Sequence, residues 1–230
     1  TEIENYVFSN CGSLVSVKIP DSVTKIGGWA FEYCGALASV KMSENVTDIG
    51  GYAFSYCVAL KNIKIPNGIT EIKNNVFYHC GALEQVEIPN SVTTIGEWAF
   101  AFCGSLTSVI IPDSVTSIGR VAFSDCTSLT YFKIPDGITS IESETFYGCT
   151  KLEEIIIPNG VTDIYSSAFM NCTALKSIEL PDSVTFIDGS VFMNCTALTS
   201  IALPGSMPEI TAYMFEGCTA LTTVTIPKSI

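Results

Sequence analysis

Ten cysteines stand 23 residues apart: Cys11, Cys34, Cys57, Cys80, Cys103, Cys126, Cys149, Cys172, Cys195 and Cys218. At so fixed a beat they could form disulfides, hold a metal or supply a nucleophile, and each chemistry makes its own geometric demand. A bridge needs two Cβ atoms about 3.8 Å apart and facing each other. A zinc site needs four ligands converging on one point. A reactive thiol needs a nearby cation or helix N-terminus, with access to solvent. If successive periods stack, the sulfurs stand in one file, side chains parallel and roughly a ~4.8 Å strand spacing apart, which meets none of these demands. The neighbours are apolar as well: a phenylalanine three residues before each cysteine and a leucine three after, without exception. The expectation is ten free thiols acting as small core hydrophobes, with no disulfide, metal or cofactor. The usual rule that many cysteines in a secreted chain mark a disulfide framework is expected to fail.

The elements that position those sulfurs follow from the same period. The consensus C-x-x-L-x-x-[VI]-x-[IL]-P-x-[SG]-[VI]-T-x-I-x-x-x-[AV]-F-x-x fills the 230 residues ten times, so residues 1–230 are read as one solenoid domain. In Leu129-Thr130-Tyr131-Phe132-Lys133-Ile134, the alternation predicts a short strand with Leu129, Phe132 and Ile134 inward and Tyr131 and Lys133 outward. Proline then ends the strand, and "PDS", "PNG" or "PDG" supplies a turn. "VTxI" predicts a second narrow strand. The "G-x-x-AF-x-x-C" segment predicts a one- to two-turn helix or 3₁₀ segment that drops Phe and Cys inward. No period can bury its apolar side alone, so each is stabilised by its neighbours. The expected class is an α/β leucine-rich repeat solenoid, a right-handed superhelix with a parallel sheet on its concave face. Both ends are expected to interrupt the pattern, since "TEI" and "IPKSI" fall within a period.

"IPDSVTSIGRVAFSDCTSLTYFKIP" closely resembles the BspA-like leucine-rich repeat family, and the resemblance runs through all ten repeats. It implies a secreted or surface-displayed protein of host-associated bacteria or mucosal protozoa. It implies adhesion to host matrix proteins, epithelial cells or other microbes, and it carries over no catalytic residues. The departures are Ser43 in place of a proline, and Pro208 at the usual threonine place in "GSMPEI". They are expected to disturb local turns and not the fold.

The totals narrow the function further. A formal net charge of −12 disfavours nucleic acid, which needs a basic face to replace counterions. No run approaches the ~18 apolar residues of a membrane helix, so this segment is not expected to insert into a membrane. No catalytic motif is present: no phosphate-cradling glycine loop, no H-E-x-x-H and no G-x-S-x-G. Sequons occur at Asn45, Asn171 and Asn194.

With the inward positions held by the repeat, identity must lie on the outward ones. The outward strand positions carry six lysines and five acids, so the sheet face is nearly neutral and the acidity belongs elsewhere. Lys18, Lys41, Lys61 and Lys64 fall in the first three repeats with no acid among these positions. They form either a landing site for an acidic protein segment or glycan, or a solvated row that keeps the sheet soluble. Ile110, Tyr131 and Ile156, rimmed by Glu153 and Glu154, form either a protein-contact patch or scattered surface apolar groups. Tyr6, Trp29, Tyr52 and Trp98 share one repeat position; Tyr33, Tyr56, His79 and Phe102 share another. These stripes either stack sugars or cover the edge of the core. The candidate binding residues are therefore Lys18, Lys41, Lys61, Lys64, Ile110, Tyr131 and Ile156. The expected partner is an extracellular protein or a glycan. Three roles remain: an adhesion or binding module, a glycan-capture module, and a spacer for another domain.

Overall fold

The computed structural model describes all 230 residues and is a parallel solenoid in which each period is one coil. The first wall is built from three-residue strands, beginning Ser16–Lys18, Ser39–Lys41, Asn62–Lys64 and Gln85–Glu87. They pair parallel at an offset of one period, Val17 beside Val40 and Ile63 beside Val86. Tyr131–Lys133 pairs with Glu154–Ile156, and Ser200–Ala202 with Thr223–Thr225. Alternation decides the sides as expected: Phe132 is fully buried between exposed Tyr131 and Lys133. The wall has two gaps that the repeat does not announce. Residues 108–110 and 177–179 form no strand, so the ladder stops on both sides of each.

The second wall consists of two-residue strands in three groups of three, from Glu2–Ile3 to Phe186–Ile187. It is interrupted between Asp48–Ile49 and Glu71–Ile72, and again between Ser117–Ile118 and Ser140–Ile141. Both interruptions come where the turn reads G-I-T, at Gly68 and Gly137. Serines at this place donate to the preceding coil, as Ser91 does to the Ile69 carbonyl at 2.6 Å and Ser114 to that of Val92 at 2.7 Å. A glycine has no hydroxyl to do so, although Gly160 has the same repeat position and the wall is continuous there. The wall ends where Pro208, lacking an N–H, cannot continue the ladder. Ser43 does keep its turn: the Val46 N–H donates to its carbonyl at 3.2 Å, as that of Val23 does to Pro20 at 3.0 Å. Its hydroxyl donates to Asp21 Oδ1 at 2.9 Å, so a polar residue sits buried without an orphaned group.

The third wall corrects one expectation. No helix or 3₁₀ segment forms before the cysteines. Instead two residues per coil adopt left-handed backbone, four positions apart, for example Trp29 at φ 57° and Tyr33 at φ 58°. Each breaks the helical run, and the segment becomes successive tight turns. The turns free alternate N–H groups to reach across to the next coil. The N–H groups of Trp29, Phe31 and Tyr33 donate to the carbonyls of Gly51, Ala53 and Ser55, and three such bonds, 2.7–3.2 Å long, recur at every junction in the chain. This is the only wall hydrogen-bonded without a gap.

The interior is a single hydrophobic cluster. Its axis is a ladder of ten phenylalanines from Phe8 to Phe215, near-parallel, with centroids 5.1–6.0 Å apart. The widest step, 6.0 Å between Phe123 and Phe146, is where Phe132 wedges in edge-on, 5.0 and 4.7 Å from its neighbours.

Candidate functional site

All ten cysteines are free, and all but Cys11 are buried. Each from Cys34 onward donates its Sγ–H to the carbonyl of the phenylalanine in the preceding coil, at 3.0–3.3 Å. That carbonyl points into the core and also accepts the N–H three residues on, as Phe31 accepts from Cys34. The thiol is thus a small hydrophobe with one weak donor, placed to satisfy a backbone oxygen that water cannot reach. Burial raises the thiol pKa values: that of Cys80 to about 12, that of Cys195 to about 12, and those of Cys103, Cys126, Cys149 and Cys172 well above the ordinary range. Nucleophilic chemistry has no support in such a row, since the thiolate is the reactive form. A maleimide added to native protein is expected to label Cys11 quickly and the other nine only after denaturant is added. Mass spectrometry reads the count directly, and several labels on native protein would contradict the packing.

The strand wall brings the candidate lysines together only in part. Lys18 and Lys41 are register partners on adjacent strands, both exposed. Lys64 instead pairs with Glu44, a turn residue, at 2.7 Å, and its register partner is Glu87. Hydrogen bonding to Lys64 holds the Glu44 carboxyl below its usual range. Lys61 is exposed just before the Asn62–Lys64 strand. Of the four lysines, only Lys18 and Lys41 are register partners. Glu44 escaped the sequence reading because it lies on a turn, outside the strand positions compared there.

The apolar residues are placed less compactly than their spacing suggests. Ile110 is 85% exposed at the gap in the strand wall. Ile156 is the register partner of Lys133, and Tyr131 that of Glu154. Lys133 thus lies between the Ile110 and Ile156 positions in their column. Its ammonium lies 3.9 Å from both Asp113 and Asp136. The Glu153 carboxylate is paired with Lys176 at 3.4 Å. Clefts of about 400 Å³ and 410 Å³ open where the wall is unpaired, one between Gln85–Glu87 and residues 108–110, the other between Glu154–Ile156 and residues 177–179.

The aromatic stripes stack on one another. Tyr33, Tyr56, His79 and Phe102 form a column with steps of 4.4, 4.7 and 4.6 Å. Tyr6, Trp29 and Tyr52 form a second, with steps of 4.9 and 5.3 Å. These rings are carried by the left-handed residues of the third wall. Asn171 and Asn194, two of the sequon asparagines, occupy equivalent left-handed positions at φ 64° and 60°, a conformation asparagine tolerates better than most residues.

A family model described as BspA type leucine-rich repeat region matches residues 1–130 and 116–230. The chain belongs to the BspA-type leucine-rich repeat family. Among solved structures, the family's likeness extends to a leucine-rich repeat protein from Bacteroides ovatus, 26% identical over 100% of this chain and 83% of that one, TM-score 0.65. A leucine-rich repeat protein of T. pallidum is 30% identical over 76% of this chain and 71% of its own, TM-score 0.53. The pneumococcal vaccine antigen PcpA shares the fold at 20% identity, TM-score 0.66, over 100% of this chain and 68% of its own. No curated protein sequence matches. No helix is long and apolar enough to cross a membrane, and no cluster of three or more His, Cys, Asp or Glu side chains converges as a metal site would require.

Proposed function

We propose that this BspA-type array is a non-catalytic binding module, displayed at a cell surface or secreted, that recognises a host or microbial protein through its strand wall and adjoining turns. The observation that carries this reading is the division of labour across each strand. Inward positions are apolar in every coil and packed into one core, while outward positions vary freely over a rigid frame. Such a wall can change its side chains without cost to the fold, as a recognition surface requires. Ile110, Tyr131 and Ile156 supply the exposed apolar groups, and Glu154 and Lys133 supply charged groups beside them. The surface location is what family membership implies, and the adhesion role rests on the same analogy.

A second reading, capture of a sulfated or sialylated glycan, is favoured by one observation: Lys18 and Lys41 stand side by side without an acidic partner. Immobilised matrix proteins and acidic glycans separate the two. Changing Lys18, Lys41, Lys61 and Lys64 together to glutamate is expected to reduce acidic-glycan binding at least tenfold. Ile110→Asp with Tyr131→Ser is expected to reduce protein binding by a similar factor. Raising salt from 0.05 to 0.5 M is expected to weaken only the lysine-dependent interaction, because the screening length between exposed charges falls from about 14 Å to about 4 Å in that range. Absence of binding to either class leaves a spacer role.

A further inference from the structure

The first aromatic column is missing one rung. Tyr6, Trp29 and Tyr52 stack in sequence, and the next coil places Asn75 where a ring would stand; Trp98 resumes the column in the coil beyond. Tyr52 and Trp98 are thus two steps apart, about 10 Å at the strand spacing of parallel coils, and a cavity of about 400 Å³ lies between them, lined by Tyr52, Asn74, Asn75, Tyr78, Glu97 and Trp98. Tyr78 closes the side. Its ring stands at 79° to Trp98, 5.8 Å away, and it is braced at near right angles against Tyr56, His79 and Phe102, at 5.4, 5.2 and 5.7 Å. Asn75 lies beneath, 9% exposed, and its side-chain amide makes no hydrogen bond to protein. Glu97 stands exposed at the rim and forms no ion pair; Arg120 belongs to the coil beyond Trp98 and is not bonded to it.

We infer that this slot is an aromatic cage for a methylated ammonium group. A cation at its centre lies about 5 Å from the rings on either side, within the ~6 Å range in which the negative face of an aromatic ring attracts positive charge. A flat ring midway would sit at the 4.9–5.3 Å step of this column, so width alone admits one, and it is the unpaired Glu97 carboxylate at the rim that favours a cation. A trimethylammonium group is round, fills the width, and has no N–H whose hydration must be replaced. A primary ammonium is more strongly hydrated and gives up more on entering a slot walled by three rings. Glu97 adds the compensating charge. The cage is separate from the strand wall, and it stands or falls independently of the lysine and isoleucine variants above.

The test uses the intact chain carrying Trp29→Phe, so that Trp98 is the only indole. Tetramethylammonium chloride is expected to change Trp98 fluorescence saturably in the millimolar range, while equal concentrations of sodium chloride do not. The neutral isostere 3,3-dimethylbutan-1-ol is expected to bind at least tenfold more weakly. Glu97→Gln should weaken binding roughly fivefold. Asn75→Tyr should abolish it while leaving the melting temperature unchanged or higher, because it restores the absent rung at a backbone position where Tyr52 already stands left-handed. Phosphocholine and N-trimethyl-lysine then distinguish a head group from a modified side chain as carrier. Equal binding of the neutral isostere, tighter binding of methyl glucoside, binding that survives Asn75→Tyr, or no response to tetramethylammonium would each overturn the assignment.

Discussion

Raising the pH from 7.5 to 9.5 is expected to unfold this protein or bring it close to unfolding. The cause is the file of buried thiols. In the unfolded chain a cysteine ionises near pH 8.5. In the folded chain burial holds Cys80 and Cys195 up at about 12, and Cys57, Cys103, Cys126, Cys149 and Cys172 are raised as well. The native state therefore keeps protons that the unfolded state releases. A group raised in this way contributes its full stability below the unfolded pKa and loses it as pH climbs toward the folded one. At pH 9.5 the unfolded form gains about 1.4 kcal/mol per thiol, and seven such thiols give a loss on the order of 10 kcal/mol. That is comparable with the whole stability of an ordinary domain. Urea melts followed by circular dichroism at pH 7.5, 8.5 and 9.5 read the effect. Replacing Cys103 and Cys126 by alanine should flatten the slope by about two-sevenths, whatever it costs at neutral pH. Midpoints that coincide at pH 7.5 and 9.5 would show that the thiols are not sealed from solvent.

The second large effect belongs to the phenylalanine ladder. Phe100 is fully buried and stacked 5.4 Å from Phe77 on one side and 5.4 Å from Phe123 on the other. Phe100→Ala is expected to cost about 3–5 kcal/mol, the range for emptying an aromatic site in a packed core. Phe8 has the same repeat position but is 37% exposed and stacks only on Phe31, so Phe8→Ala is expected to cost about 1–2 kcal/mol. Coils are stabilised by their neighbours, and the central variant should also lose hydrogen-exchange protection first in the coils around position 100, whereas the terminal one frays from its end. Equal losses from the two variants would contradict a core built from nearest-neighbour stacking.

Most of this architecture could be read from the period alone. Phe, Cys and Leu occupy the same environment in coil after coil, and the alternation around Phe132 decides which side chains face inward. The third wall was not legible in that way. Bulky residues such as Trp29 and Val121 rarely adopt left-handed backbone, so no propensity points to it, and a segment of turns was read as a short helix. What enforces it is tertiary: three bonds to the next coil at every junction. The role of the thiol was equally hidden, because its acceptor is a carbonyl 26 residues earlier in the chain. The cage had a visible signal. Tyr6, Trp29, Tyr52 and Trp98 can be aligned by position, and the residue omitted from that series, Asn75, is the one that makes room.

The gaps in the first two walls have a mechanical consequence. At mid-length, residues 108–110 leave Tyr131–Lys133 without a partner on that side, and in the same coil Ser117–Ile118 is unlinked from Ser140–Ile141. There the chain is joined mainly through the turn wall, where Val121, Phe123 and Asp125 donate to Ser143, Thr145 and Tyr147. Two halves thus share one sparsely bonded seam, like a book along its spine. Bending the rod there would break few backbone hydrogen bonds, and Ile110 stands at the edge of that seam.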